Sequence, residues 1–251
     1  MAHLNRDGVK IYYEVHGEGP ALLLSHGYSA TSAMWAGQID VLRRSHRLVI
    51  WDMRGHGNSD SPDDPAAYSR SLTTADMAAL LDTIGAKSAV IGGLSMGGYM
   101  SLAFNVDYPG RTDALMLFDT GPGYRNDDAR AGWNRTAQQR AKVFETEGLA
   151  ALGSSSEVKV SRHRSAQGLA HAARGMLAQT DGTVISSLPH IQVPTLVLAG
   201  ALDQPFLAAT DYMAAKIPGA KRVILDGAGH ASNIDRPREF NAAVTEFLAR
   251  R

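Results

Sequence analysis

The sequence predicts an α/β fold: a mostly parallel central sheet of about eight strands flanked by helices, in a single domain over 1–251, with a small helical cap inserted at 120–190. Short runs rich in Val, Ile and Leu recur along the chain, and most are continuous rather than alternating, as strands buried on both faces are. Amphipathic segments lie between them, an alternation that favours parallel pairing through right-handed crossovers. The rhythm breaks once, between Thr120 and Leu188, where only polar and helical stretches occur, and strand-like patterning resumes at Thr195. An insertion of that length at a strand end is usually a functional lid.

Taken in order, the strand-like runs are "VKIYYEV", "ALLLS", "RLVIWD", "SAVIGG", "ALMLFD", "TLVLAG" and "RVILDG". In "SLTTADMAALLDTIGA", Thr73 and Asp76 form a capping-box-like helix start. Met77, Leu80, Leu81 and Ile84 make one apolar face, and Gly85 stands where the helix should stop. "MGGYMSLAFNVDYP" reads as a helix directly after the fourth of these runs. "DRPREFNAAVTEFLAR" reads as a closing helix, with Pro237 in its first turn and Phe240, Val244, Phe247 and Leu248 along one stripe.

Acidic and basic residues balance at 25 each, so no whole-molecule field draws in nucleic acid or an anionic membrane. The absence of cysteine excludes disulfides, thiol nucleophiles and thiolate metal sites. No apolar run approaches the roughly 20 residues of a membrane span, and the first residues lack a signal-peptide pattern. The expectation is a cytoplasmic protein whose partner is a small molecule, with no metal and no organic cofactor.

"VIGGLSMGGYM" concentrates four glycines around Ser95 where a strand must turn into a helix. That setting makes the G-x-S-x-G pattern of Gly93 to Gly97 a candidate nucleophile elbow, in which small neighbours let strand and helix backbones approach. A serine hydroxyl needs a base within reach and an acid to orient that base. His230, in "LDGAGHASNID", follows the last strand-like run at the sheet edge where Ser95 also lies. Among the other histidines, His3 and His46 read as surface residues, His163 and His171 belong to the cap, and His26 and His56 lie in loops with structural explanations. For the acid, Asp203 in "LAGALDQP" and Asp119 in "LFDTGPG" both follow strands and could reach His230. An oxyanion hole needs two N–H donors. Met96, next to the serine, offers one, and Tyr28, in "SHGYS" after the strand "ALLLS", offers the other.

Together "SHGYS", "WDMRGHGNSD", "GLSMGGYM", "LAGALDQP" and "GAGHASNID" resemble, in order and spacing, the α/β-hydrolase fold family, across nearly the whole chain apart from the cap. The strand layout and short cap are similar to those of small esterases and β-ketoadipate enol-lactonases. The family's chain order of Ser, Asp, His favours Asp203 over Asp119 as the triad acid. The resemblance gives the loop around His56 a structural role. It also implies a serine hydrolase acting on a small carboxylic ester or lactone through an acyl-enzyme. Carbon–carbon bond hydrolysis, perhydrolysis and acyl transfer use the same triad, and a binding protein that has lost turnover is the alternative of another class.

From Arg125 to Arg174 the cap carries seven arginines. Arginines can clamp a substrate carboxylate, yet interspersed acids make a solvated, paired face the plainer expectation. Trp133 and the Tyr28 side chain are the candidate substrate-lining groups, and Met176 is a further plausible one.

Overall fold

The computed structural model describes residues 2–250; Met1 and Arg251, the ends of the expected domain, lie outside the described residues. Eight strands form one sheet: β1 (Ala2–Arg6), β2 (Val9–His16), β3 (Ala21–Ser25), β4 (Arg47–Trp51), β5 (Ala89–Leu94), β6 (Thr112–Phe118), β7 (Thr195–Gly200) and β8 (Lys221–Leu225). Their order is β1-β2-β4-β3-β5-β6-β7-β8. β1 and β2 pair antiparallel, as do β2 and β4, and the remaining pairs are parallel. The strand missed by the run-by-run reading is β1. Its hairpin turns at Asp7 and Gly8, both at positive φ (54° and 86°), the Asp-Gly pattern of a tight two-residue turn.

Ten helices complete the described chain: α1 (Ala36–Leu42), α2 (Arg70–Thr83), α3 (Met96–Asp107), α4 (Asp127–Glu147), α5 (Ser156–Lys159), α6 (Ala166–Ala172), α7 (Thr183–Ser187), α8 (Gln204–Lys216), α9 (Ser232–Asp235) and α10 (Pro237–Ala249). Because side chains alternate across a strand, each central strand feeds two cores. Leu23, Val49, Ile91, Leu115 and Val197 pack with Met77, Leu80, Phe104 and Met213 from α2, α3 and α8. Leu24, Ile50, Val90, Met116 and Leu198 pack on the other face with Leu42, Phe240, Val244 and Phe247 from α1 and α10.

The start of α2 differs from expectation. Ser69 is its N-cap, its hydroxyl accepting from Leu72 N–H at 3.1 Å. Thr73 and Asp76 are buried within the helix, where Asp76 grips the Arg54 guanidinium at 2.6 and 2.9 Å. The carboxylate is used for a buried ion pair, so it is lost to capping. The helix stops as expected: Gly85 has φ 68°, and Ala86 N–H reaches back to Leu81 C=O at 2.8 Å. His46, expected at the surface, is buried at 6 % exposure.

Between β6 and β7 the described residues contain helices and no strand. α4 to α7 lie here, with a π-helical turn at Ala173–Leu177. Ala141, Phe144, Leu169, Ala170 and Ala173 give this segment a small apolar cluster of its own. No helix among the described residues is long and apolar enough to cross a membrane.

Candidate active site

β5 is buried throughout and ends at Leu94, and α3 starts two residues later. Ser95 between them sits at φ 55° and ψ −117°. A non-glycine residue held in a sparsely populated region costs about 1–3 kcal/mol, which the surrounding structure must sustain. Three bonds hold it: Ser95 N–H donates to Phe118 C=O at 2.9 Å, and its C=O accepts from Tyr99 N–H at 3.1 Å and from Thr120 Oγ1 at 2.6 Å. The flanking glycines are a steric requirement. A Cβ on Gly93 would stand 2.4 Å from the Gly97 carbonyl carbon, and one on Gly97 would stand 2.3 Å from Ser25 O.

His230 and Asp203 come from loops after β8 and β7 and meet directly, His230 Nδ1 lying 2.8 Å from Asp203 Oδ2. The loops are stitched together by Leu202 N–H on Ala228 C=O at 2.9 Å. They approach so closely that a Cβ on Gly200 would meet Gly229 O at 2.3 Å. The Asp203 side chain is 4 % exposed and that of His230 is 32 % exposed. Burial lowers the basicity of His230, but the hydrogen bond and charge of Asp203, helped by Asp119, outweigh it and raise its pKa above the ordinary imidazole value. The Phe206 ring stacks on the imidazole, centroids 5.0 Å apart and planes at 27°.

Asp119 is held elsewhere. Its Oδ1 accepts from Gly200 N–H at 2.8 Å and its Oδ2 accepts from the Ser232 hydroxyl. Burial pushes its pKa up to about 7, against the pull of these two donors. Of the two acids considered from the sequence, Asp203 is the one bonded to the imidazole, whereas Asp119 ties the turn after β6 to the chain just beyond His230.

Met96 is the first residue of α3, and such first-turn amides have no intrahelical acceptor. The Tyr28 N–H donates no hydrogen bond among the described residues, while the next amide, Ser29 N–H, donates to His56 Nε2 at 3.3 Å. The Tyr28 side chain corrects expectation. It does not line the cleft at Ser95; its hydroxyl donates to Leu169 C=O at 2.9 Å, and its ring meets Phe144 edge-on. His26 and His56 are buried structural groups: His26 Nε2 accepts from Met53 N–H at 2.9 Å, and burial lowers its pKa to about 4.

A cleft of about 590 Å³, open to solvent, begins at Ser95 and Met96 and runs between Trp133, Met176, Gln179 and Phe206. Trp133 therefore lines it, as expected, its indole N–H donating to Leu177 C=O at 2.8 Å. Phe206, Thr120 and Gln179 are residues that sequence reasoning missed. Phe206 had one usable signal, its place in the first turn after Asp203; Gln179 had none. Among the described residues no cluster of three or more His, Asp or Glu is placed to hold a metal ion.

Residues 22–243 match the alpha/beta hydrolase family. Over 97 % of its length the chain is similar to 3-oxoadipate enol-lactonase 1 of Acinetobacter baylyi, at 29 % identity and covering 95 % of that protein. It superposes on the enol-lactonase from Burkholderia xenovorans with a TM-score of 0.79 at 29 % identity, covering 98 % of this chain and 99 % of that one. On a thermophilic esterase from Thermogutta terrifontis, solved with malate bound, the TM-score is 0.82 at 27 % identity, with 99 % and 97 % covered. The chain belongs to the alpha/beta hydrolase family.

Proposed function

We propose that this enzyme hydrolyses a carboxylic ester or lactone of a small substrate through an acyl-enzyme on Ser95. The observation that carries the reading is the 2.8 Å bond from His230 Nδ1 to Asp203 Oδ2 at the sheet edge where Ser95 stands on its turn. With Nδ1–H donated to the carboxylate, the Nε2 lone pair is free to take the Ser95 proton as Oγ attacks the carbonyl carbon. Asp203 stabilises the imidazolium that results. The N–H groups of Tyr28 and Met96 hold the developing oxyanion. His230 then returns the proton to the leaving alkoxide, and a water activated by the same Nε2 hydrolyses the acyl-enzyme. In a lactone the leaving alkoxide stays tethered, so one hydroxy acid is released.

The helical segment over 120–190 acts in this reading as a cap. Its residues Trp133, Met176 and Gln179 wall the cleft that Ser95 opens into, and water exclusion there strengthens the electrostatics of the reaction. The test is labelling by a serine-directed fluorophosphonate beside turnover of short acyl nitrophenyl esters and simple lactones. Ser95→Ala should abolish both. Labelling without turnover of any ester or lactone would favour a binding role, and absence of both rejects the hydrolase reading.

A further inference from the structure

We infer that the cleft at Ser95 accepts an uncharged, largely apolar acyl chain carrying a hydrogen-bond acceptor, that Gln179 reads that acceptor, and that a carboxylate-bearing chain is refused. The inference rests on Ser95 being the nucleophile, as proposed above. Among the described residues no Lys or Arg lines the cleft. Three of the cap arginines are engaged elsewhere: Arg174 grips Glu145 and Gln138, Arg164 donates to the carbonyls of Gly57, Asn58 and Ser59, and Arg130 holds Asp127 and Tyr124 C=O. Arg70, whose charge is felt at the Tyr99 phenol in the cleft wall, is itself flanked by Asp181 at 3.5 Å and Asp107 at 3.8 Å. A substrate anion entering here would lose its water and meet no Lys or Arg in the lining itself.

Gln179 is the one side-chain amide among the polar groups of the lining, which also include Ser95, Thr120, Tyr99 and Tyr124, and it is held rigidly. Its backbone N–H donates to Asn134 Oδ1 at 2.8 Å and its C=O accepts from Asn134 Nδ2 at 2.7 Å. Its side-chain Oε1 accepts from Tyr124 N–H at 3.2 Å, which settles the orientation of the amide, since a backbone N–H needs an acceptor. The amide Nε2 is left with no acceptor among the described residues, in a side chain that is 7 % exposed and lines the cleft. A donor held in place, without a protein acceptor and accessible from the cleft, favours a ligand that supplies the acceptor.

Three methyl esters of matched length test this by methanol release: methyl hexanoate, methyl 5-oxohexanoate and monomethyl glutarate. The keto ester should have the highest kcat/KM, about 3- to 10-fold above the alkyl ester, and the carboxylate ester should fall about 100-fold or more below both. Gln179→Glu keeps an oxygen for Tyr124 N–H but replaces the donor by an anion, so the keto-to-alkyl ratio should drop to one or below. Rates of Ser95 labelling by fluorophosphonates carrying the same three chains should follow the same order without requiring turnover. Monomethyl glutarate reacting as fast as the keto ester, or a ratio unchanged in a folded Gln179→Glu protein, overturns the inference while leaving the hydrolase reading intact. Failure of every probe to label Ser95, with no turnover, removes the hydrolase reading and this inference with it.

Discussion

Exchanging Asp203 for Asn, set beside the same exchange at Asp119, separates two carboxylates that stand at neighbouring strand ends. In the native arrangement Asp203 Oδ2 fixes the proton on His230 Nδ1 at 2.8 Å from a side chain only 4 % exposed, so the bond is charge-assisted and poorly screened. Asn removes the charge and can present its NH₂ to Nδ1, which favours the tautomer whose Nε2 is already protonated and cannot act as base. The expected fall in kcat is about 10³- to 10⁴-fold, or roughly 4–5.5 kcal/mol of transition-state stabilisation. Asn at 119 keeps an oxygen for Gly200 N–H and can donate to Ser232, and a carboxyl whose pKa stands at about 7 is already part neutral near pH 7. Its cost should be below about 10-fold in kcat. The assay is ester turnover with active sites counted by fluorophosphonate labelling, run across pH. In the proposed mechanism only neutral His230 accepts the serine proton, so activity should rise with pH through its pKa, and the raised pKa puts the acid limb above the usual imidazole value. Asp203→Asn removes the main support of that rise, so residual activity should show an acid limb at lower pH. A loss at Asp119→Asn equal to that at Asp203→Asn would refute the assignment.

Stability should fall steeply below about pH 6: His26, His56 and His163 all have pKa values lowered by burial, so each contributes stability above the unfolded value that is lost as pH falls and the unfolded chain binds protons. Asp119, raised by burial, holds its proton in the folded chain and offsets part of this loss, and urea midpoints at stepped pH should still fall as pH drops through the unfolded imidazole value. Gly97→Ala drives a Cβ onto the Ser25 and His26 carbonyls at 2.3 and 2.6 Å and should cost about 3 kcal/mol or prevent folding, while Gly110→Ala, with nothing within 4 Å, should change the Tm little. Asp76→Asn leaves Arg54, 5 % exposed, without its carboxylate and should cost about 3–5 kcal/mol by denaturant unfolding. A neutral outcome at either Gly97 or Asp76 would contradict the packing described.

β3 to β7 were legible because burial on both sheet faces leaves a continuous apolar run, while the partly exposed β2 and β8 still carry short runs rich in Val and Ile. β1 escaped because it is an edge strand, half-wetted along its length, and only its Asp-Gly turn announces it. Asp76 misled in the opposite direction. Its spacing from Thr73 imitates a cap, and only the tertiary fold reveals Arg54 as the stronger claimant. The placement of Ser95, Asp203 and His230 after strand ends was legible, since a parallel sheet gathers such ends at one edge whatever the packing between them.

The walls of the cleft obey no such rule, because the inserted helices meet the sheet through single long-range bonds rather than through a repeated pattern. Tyr28 is the instructive case: it lies in the loop after β3, yet its hydroxyl reaches Leu169 across 141 residues, and His163 bonds the neighbouring Ser29 C=O at 3.0 Å. Arg164 completes the same junction by donating to the loop at Gly57, Asn58 and Ser59. The loop that presents the Tyr28 N–H is therefore fixed from outside the sheet, by side chains of the insertion. In the proposed mechanism a residue of the insertion can therefore alter turnover at Ser95 without touching substrate, by shifting the loop that carries the Tyr28 N–H.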